Sequence, residues 1–416
     1  MPRISGTITK AAAKRTNANR DDDDWGPVIE KKEVSTEEED TDKIAQQCID
    51  AINDKIKNLN KLNIIVIGKS GVGKSTLINS LFRGNFAETG LGRPVTSEIR
   101  RLEKKDYPLA IYDTPGFELS AGQQSKVKDE VIDIIRKGFA SKDINDAIHC
   151  IWYCINVGAN RTFDESEVQW LKEFTAENKI TQVPIIVVLT QAVPKKKAAE
   201  MKTLVEKENL DIVKAVPVLA QDMEFDEDYI ARAYGLDKLI DVMAEVLPAE
   251  LQNTLQNVQK ASLDSKKRAS QGVIAAAVAG SFGEGFAPIP FSDAALLVPT
   301  QVGMIAGITV IFGMDISKSF LTSFVSATIG SAGATVLGKT IVSNLLKLIP
   351  GVGTVAGGMI SGTTAGLLTT ALGEAYILIM EMIYTGEINK EDLYTEDGQA
   401  TMKKLFKEEL KKSRKK

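Results

Sequence analysis

One run constrains this chain more than any other: Leu62 to Ile67, then Gly68-Lys69-Ser70-Gly71-Val72-Gly73-Lys74-Ser75-Thr76. Its first part is apolar and rich in β-branched residues, as a fully buried strand is, and a helix-like stretch follows. The junction fits Gly-x4-Gly-Lys-Ser, whose glycines let backbone amides curl around phosphates while the helix start adds partial positive charge. The spacing predicts a phosphate site built from Gly68 through Thr76. Lys74 is expected to reach the β- and γ-phosphates and the Ser75 hydroxyl to ligate Mg2+.

Further β-branched runs at residues 109–112, 147–155, 183–189 and 215–219 alternate with helix-like stretches at 165–175 and 195–208. This alternation predicts an α/β domain over residues 62–255, with a mainly parallel sheet covered on both faces. Ala110-Ile111-Tyr112 leads into Asp113-Thr114-Pro115-Gly116, a strand ending in an acid and a tight turn. Asp113 is expected to hold Mg2+ through water, and the Gly116 amide to touch a γ-phosphate while one is present. Thr96, in the polar loop from Gly90 to Ser97, is placed to close over the metal. The expected catalytic set is thus Lys74, Thr96 and Gly116, and the expected metal set is Ser75, Thr96 and Asp113.

In that order the three motifs resemble the septin-like and Era-like branch of P-loop GTPases, over about residues 60 to 250. The resemblance implies GTP as the bound nucleotide, Mg2+ as cofactor and hydrolysis to GDP. It breaks down at the guanine-reading motif, where Thr190-Gln191-Ala192-Val193 follows the strand ending at Leu189. Thr190 fits; Gln191 replaces the lysine that packs along the base, and Val193 stands where the family has aspartate. A charged hydrogen bond contributes about 1.5 to 3 kcal/mol, so its loss would narrow the guanine preference by about one to two orders of magnitude. Gln191 itself, or the loop Leu219-Ala220-Gln221, is a candidate replacement. Phe117 follows Gly116 where Ras-like relatives carry the water-orienting glutamine, and Gly71 stands where some Era-like relatives hold a potassium ion through asparagine. A second copy or another protein is the expected source of the missing group, and turnover by the isolated chain is expected to be slow.

A second domain announces itself by composition. Between Gly272 and Gly373 lie 17 of the chain's 32 glycines but only six charged residues. Phe286-Ala287-Pro288-Ile289-Pro290-Phe291-Ser292-Asp293 and Gln301 resemble a tail domain of unknown function that follows the GTPase domain in many bacterial proteins. An all-α, glycine- and alanine-rich domain is expected over 256–385. Its uncharged runs from Ala294, Ser319 and Leu348 are long enough to cross a bilayer. A compact bundle packing Gly353, Gly357 and Ala365 against Phe320, Phe324, Ile341, Leu345 and Ile349 accounts for the same composition. Residues 386–416 end in a lysine-rich run that reads as an exposed basic helix suited to peripheral membrane contact.

Before the first strand, Ile44, Cys48, Ile52, Ile56 and Leu59 keep helical spacing and predict an amphipathic helix over 44–61. Residues 1–43, with early arginines and later acidic runs, read as a disordered tail. A formal charge of −4 gives no global basic field, so nucleic acid is not an expected partner. The three cysteines and the absence of an apolar leader point to a cytoplasmic, reducing setting, with membrane association as an added expectation. His149 is the chain's one histidine and lies in an apolar run, which weakens any histidine-based catalysis. Two other functions stay open: a nucleotide-gated scaffold with negligible hydrolysis, and an ATP-using P-loop enzyme.

Overall fold

The computed structural model of the chain describes residues 34–86, 99–115, 121–159, 163–179, 181–226, 229–282, 289–290, 294–328, 359–360 and 362–415. Six strands form the central sheet: β1 (Leu62–Gly68), β2 (Arg100–Glu103), β3 (Leu109–Asp113), β4 (Cys150–Asn156), β5 (Ile185–Thr190) and β6 (Lys214–Pro217). They lie in the order β2-β3-β1-β4-β5-β6. All neighbours are parallel except β2, which runs antiparallel to β3 at the edge. Its sequence Arg-Arg-Leu-Glu carries no apolar pattern, because three of the four side chains face solvent.

Alternation across β1 explains why its sequence is apolar from Ile64 to Ile67. Ile64 and Val66 enter a core with α2 (Lys74–Leu81), α6 (Leu236–Val246) and α7 (Ala249–Val258). Ile65 and Ile67 enter the opposite core with α3 (Ala121–Ser141), α4 (Glu165–Asn178) and α5 (Lys195–Lys207). A strand sandwiched between two helical layers has no solvent face to mark with polar residues. An unanticipated hairpin, β7 (Met223–Asp226) with β8 (Tyr229–Ala231), stands between β6 and α6.

Leading into β4, His149 is buried, and its Nδ1 accepts a hydrogen bond from the Asn63 backbone at 3.0 Å. Burial holds its pKa down at about 4. The imidazole is therefore a neutral acceptor that ties β4 to β1. The three cysteines are free and buried, and burial pushes each thiol up to about 12.

The helical part comprises α8 (Leu263–Phe282), α9 (Ala294–Phe312), α10 (Lys318–Thr328), α11 (Gly362–Thr385), a 3-10 turn (Lys390–Tyr394) and α12 (Glu396–Ser413). A two-residue ladder joins β9 (Ile289–Pro290) to β10 (Met359–Ile360). Phe312, Phe320, Phe324, Ala365, Leu372 and Tyr376 share one core. Ala365, Phe320 and Phe324, expected to pack together, all line that core, where both phenylalanine rings meet Tyr376. Gly353, Gly357, Ile341, Leu345 and Ile349 lie outside the described residues.

Two features differ from the sequence reading. The first helix, α1, runs Val34–Lys57 and so begins inside the stretch read as tail. Its apolar face, Ile44, Ala45, Cys48 and Ile52, packs against α9 and α10 and not on the sheet. Lys318 Nζ donates to Asp42 at 2.7 Å on the same face. At the other end of the chain, α12 is not a free basic helix. Met402, Phe406 and Leu410, each four residues apart, are buried in the helical core, which leaves Lys404, Lys407 and Lys411 on the outer face. Among the described residues, one segment, Ala365–Thr385, is long and apolar enough to cross a membrane, and 61% of its most apolar window is buried in this core.

Candidate functional site

The phosphate loop sits where β1 gives way to α2, at the carboxyl end of the sheet. Gly73 is the residue before the helix and adopts φ 94°, a left-handed conformation natural to glycine, with no side-chain cap on the first turn. The first amides of α2 are therefore not closed off by a side chain and suit an anion. Lys74 Nζ donates to Gly68 O at 2.9 Å and Lys69 O at 3.2 Å, which holds its charge over the mouth of the loop. Ser70, Ser75 and Thr76 are half-buried along the same turn, and Gly71 is exposed at its rim.

Asp113 ends β3 in register with Val66 of β1, so it arrives beside the loop. Both the amide and the hydroxyl of Thr114 donate to Val66 O, fixing the turn that follows. Asp113 Oδ1 is buried with no hydrogen-bond partner among the described residues. Burial raises its carboxyl above the ordinary value, against the pull of Lys74 and Arg100. A buried carboxylate oxygen left unpaired beside a phosphate loop is an oxygen donor of the kind Mg2+ prefers, and Ser75 supplies a second. Thr96, Gly116 and Phe117 lie outside the described residues.

On the base side, Thr190 Oγ1 donates to Val72 O at 2.6 Å and contacts Ile155 O at 3.1 Å. The side chain thus locks β5 to the phosphate loop, with its hydroxyl buried. Gln191 adopts φ 49°, and its Nε2 donates to Gly71 O at 3.2 Å. The amide thereby lies along the loop where the resemblance places a lysine. Val193 is half-buried and brings no carboxylate. In the neighbouring loop Asp222 is already engaged by Arg232 and by the Ala233 amide, at 2.6 and 2.7 Å.

One element of the site was not foreseen. Lys69 Nζ contacts Glu167 Oε2 at 2.9 Å and Asp164 Oδ2 at 3.9 Å, and Tyr153 OH donates to Glu167 Oε1 at 3.0 Å. Burial raises the Glu167 carboxyl, and Lys69 is the main opposing influence. The second residue of the phosphate loop is thus bolted to α4. A sequence signal existed: Glu167 is in phase with Trp170, Leu171 and Phe174, an acid on an apolar helix face. Lys69→Met leaves a buried carboxylate without its counter-charge and is expected to cost about 3 kcal/mol. The double variant with Glu167→Met should recover most of that in urea unfolding; equal losses in the two would contradict the pairing.

Two family models match successive parts of the chain. Residues 63–191 match the family described as 50S ribosome-binding GTPase, and residues 248–415 match the domain of unknown function DUF697. Neuronal-specific septin-3 of Danio rerio is 29% identical over 195 residues, covering 40% of this chain and 50% of that protein. The probable GTP-binding protein EngB of Methanopyrus kandleri is 34% identical over 90 residues, covering 21% of this chain and 44% of that protein. The crystal structure of a probable GTP-binding protein engB aligns with TM-score 0.29 at 23% identity, over 44% of this chain and 97% of that one. The chain spans about half the length of the curated septins it matches. It consists of a P-loop GTPase domain with a mostly parallel sheet, joined to a helical domain of the DUF697 type.

Proposed function

We propose that this chain binds GTP with Mg2+ and hydrolyses it slowly, as a switch whose helical domain responds to the nucleotide. The observation that carries the reading is the convergence of Lys74, held over the loop mouth by two of its own carbonyls, and Asp113, with a buried and unpaired oxygen. Ser75 and Asp113 would hold the ion, with Thr96 from the intervening loop. When bound, Mg2+ neutralises charge on the β- and γ-phosphate oxygens. Lys74 orients the terminal phosphate, the uncapped first turn of α2 receives its oxygens, and the Gly116 amide reports its presence.

Phe117, directly after Gly116, has no hydrogen-bonding group to orient the attacking water; Gln123 and Gln124 are the nearest glutamines that follow it. The missing group comes from a second copy or a protein partner. The apolar, sparsely charged helical domain and the outer lysines of α12 suit self-assembly or contact with an anionic membrane from the cytoplasmic side. Phe117 also favours a second reading, a nucleotide-gated scaffold with negligible hydrolysis.

One set of measurements tests these statements. GTP should outcompete ATP in titration, by a narrower margin than in relatives with the aspartate, and Val193→Asp should widen it. Turnover should be on the order of minutes or longer per event and should rise with protein concentration or with anionic vesicles. Preference for ATP would overturn the guanine reading. Tight GTP binding with no turnover at any concentration would select the scaffold.

A further inference from the structure

α7 touches the phosphate-loop unit at both of its ends. Where the chain enters β1, Thr254 Oγ1 donates to Asn60 O at 2.8 Å, and Asn60 Nδ2 reaches Glu250 O at 3.4 Å. Where the chain leaves α2, Lys260 N donates to Leu81 O at 2.8 Å and Arg83 N to Val258 O at 2.9 Å. The Arg83 guanidinium completes the joint. Its Nε donates to Asn257 O at 2.7 Å, its Nη2 to Asn257 Oδ1 at 2.9 Å, and its Nη1 to Gly313 O, just past the end of α9.

The same turn of α7 is bonded to the helical domain. Asn257 Nδ2 donates to Val310 O at 2.7 Å. Lys266 of α8, with no exposed surface, donates from Nζ to Gln256 O, to Ile311 O at 2.8 Å and to Phe312 O at 3.1 Å. Tyr384 OH of α11 donates to Lys260 O at 2.6 Å. Two helix carboxyl ends, those of α7 and α9, therefore meet, and their partial negative charges are offset by Arg83 and Lys266. Gly313 permits the approach. It adopts φ 66°, and a Cβ there would run into Asn257 O and the Arg83 guanidinium.

Neither cation has a carboxylate within ion-pair distance among the described residues. Burial, and secondarily the neighbouring Arg83, push the Lys266 ammonium well below the ordinary lysine range. An apolar joint of similar volume would often be as stable or more so, which makes buried charge here a poor device for stability alone. What it does supply is direction, because a guanidinium fork bonded to three acceptors fixes the orientation of whatever carries it.

We propose that Arg83 is a positioning residue of the nucleotide site, locking the far end of the phosphate-loop helix to the joined carboxyl ends of α7 and α9. α2 has 8 residues, so the joint lies about 12 Å along the helix axis from Lys74. Phosphate contact at one end of α2 and the packing of α9 and α11 at the other are then parts of one equilibrium. Coupling of this kind is reciprocal: whatever nucleotide does to the helical domain, engagement of the helical domain does to nucleotide affinity. The inference rests on the nucleotide-binding reading above and names the route by which that site is regulated.

The test uses the full chain, a fluorescent GTP analogue, and hydrogen exchange followed at residues 305–316 and 380–386. Wild type should bind the analogue, and binding should slow exchange in both segments. Arg83→Ala, folded by circular dichroism, should bind about tenfold more weakly and lose the distant protection. Arg83→Lys, which can keep part of the carbonyl set, should restore some of both. Should Arg83→Ala fail to fold, Lys266→Met tests the joint from the helical side, with protection lost and affinity reduced about threefold. Wild-type binding that leaves both segments unchanged would overturn the proposal while leaving the nucleotide reading intact. So would Arg83→Ala that keeps wild-type affinity and protection. Absence of binding by wild type would remove the nucleotide reading and this proposal together.

Discussion

Lys74→Ala is expected to weaken GTP binding by on the order of a hundredfold, about 2.7 kcal/mol, in a chain that stays folded. Lys74 Nζ is held by Gly68 O and Lys69 O, so its charge is fixed over the loop before any phosphate arrives. The other lysine of the loop cannot stand in. Lys69 is engaged by Glu167 and Asp164, and moving it would leave the buried Glu167 carboxylate unpaired. Titration with a fluorescent GTP analogue, alongside a thermal melt, measures the effect. Affinity within threefold of wild type would remove Lys74 from the site.

Acid should weaken the fold through one residue. The pKa of His149 is held down at about 4, against an ordinary value of 6.5. The folded chain therefore resists protonation that the unfolded chain accepts. Stability from this group is fully present above pH 6.5, falls as pH drops from 6.5 towards 4, and levels off below. The full difference amounts to about 3 kcal/mol. The structural reason is direct: Nδ1 accepts from the Asn63 amide, and a protonated Nδ1 has no lone pair to offer. Urea unfolding at pH 7 and pH 5 should show the loss in wild type and a flatter profile in His149→Gln. Equal pH dependence in both chains would assign the acid sensitivity to carboxylates.

Much of the sheet was legible because strands buried on both faces must be apolar throughout. Ile64 to Ile67 and Ile185 to Leu189 could be read from residue type alone. β2 and the β7–β8 hairpin could not, since edge and surface strands carry charge where a pattern would show. The phosphate loop was legible because φ 94° at Gly73, at the start of a helix with no side-chain cap, leaves few residue choices. The base side was not. Thr190 fits the motif by residue type, but the bonds of its hydroxyl to Val72 O and Ile155 O could not be read from spacing. Glu167 and Lys266 escaped notice because a charge on an apolar helix face reads as an irregularity until its partner appears from a distant part of the chain. Helical spacing located α1, but spacing says nothing of which core receives the face.

α1 precedes the phosphate loop in the chain but belongs to the core built by α9 and α10, and Asp42 meets Lys318 across 276 positions. The nucleotide domain is therefore an insertion within a discontinuous helical one. No single cut separates the two, and a fragment starting at α8 would lack a wall of its own core. During synthesis, at about 5 to 20 residues per second, the apolar stripe of Ile44, Cys48 and Ile52 emerges roughly a quarter of a minute to a minute before α10 does. The inserted domain has that interval in which to fold first, bringing the stripe to the place where its partners will arrive.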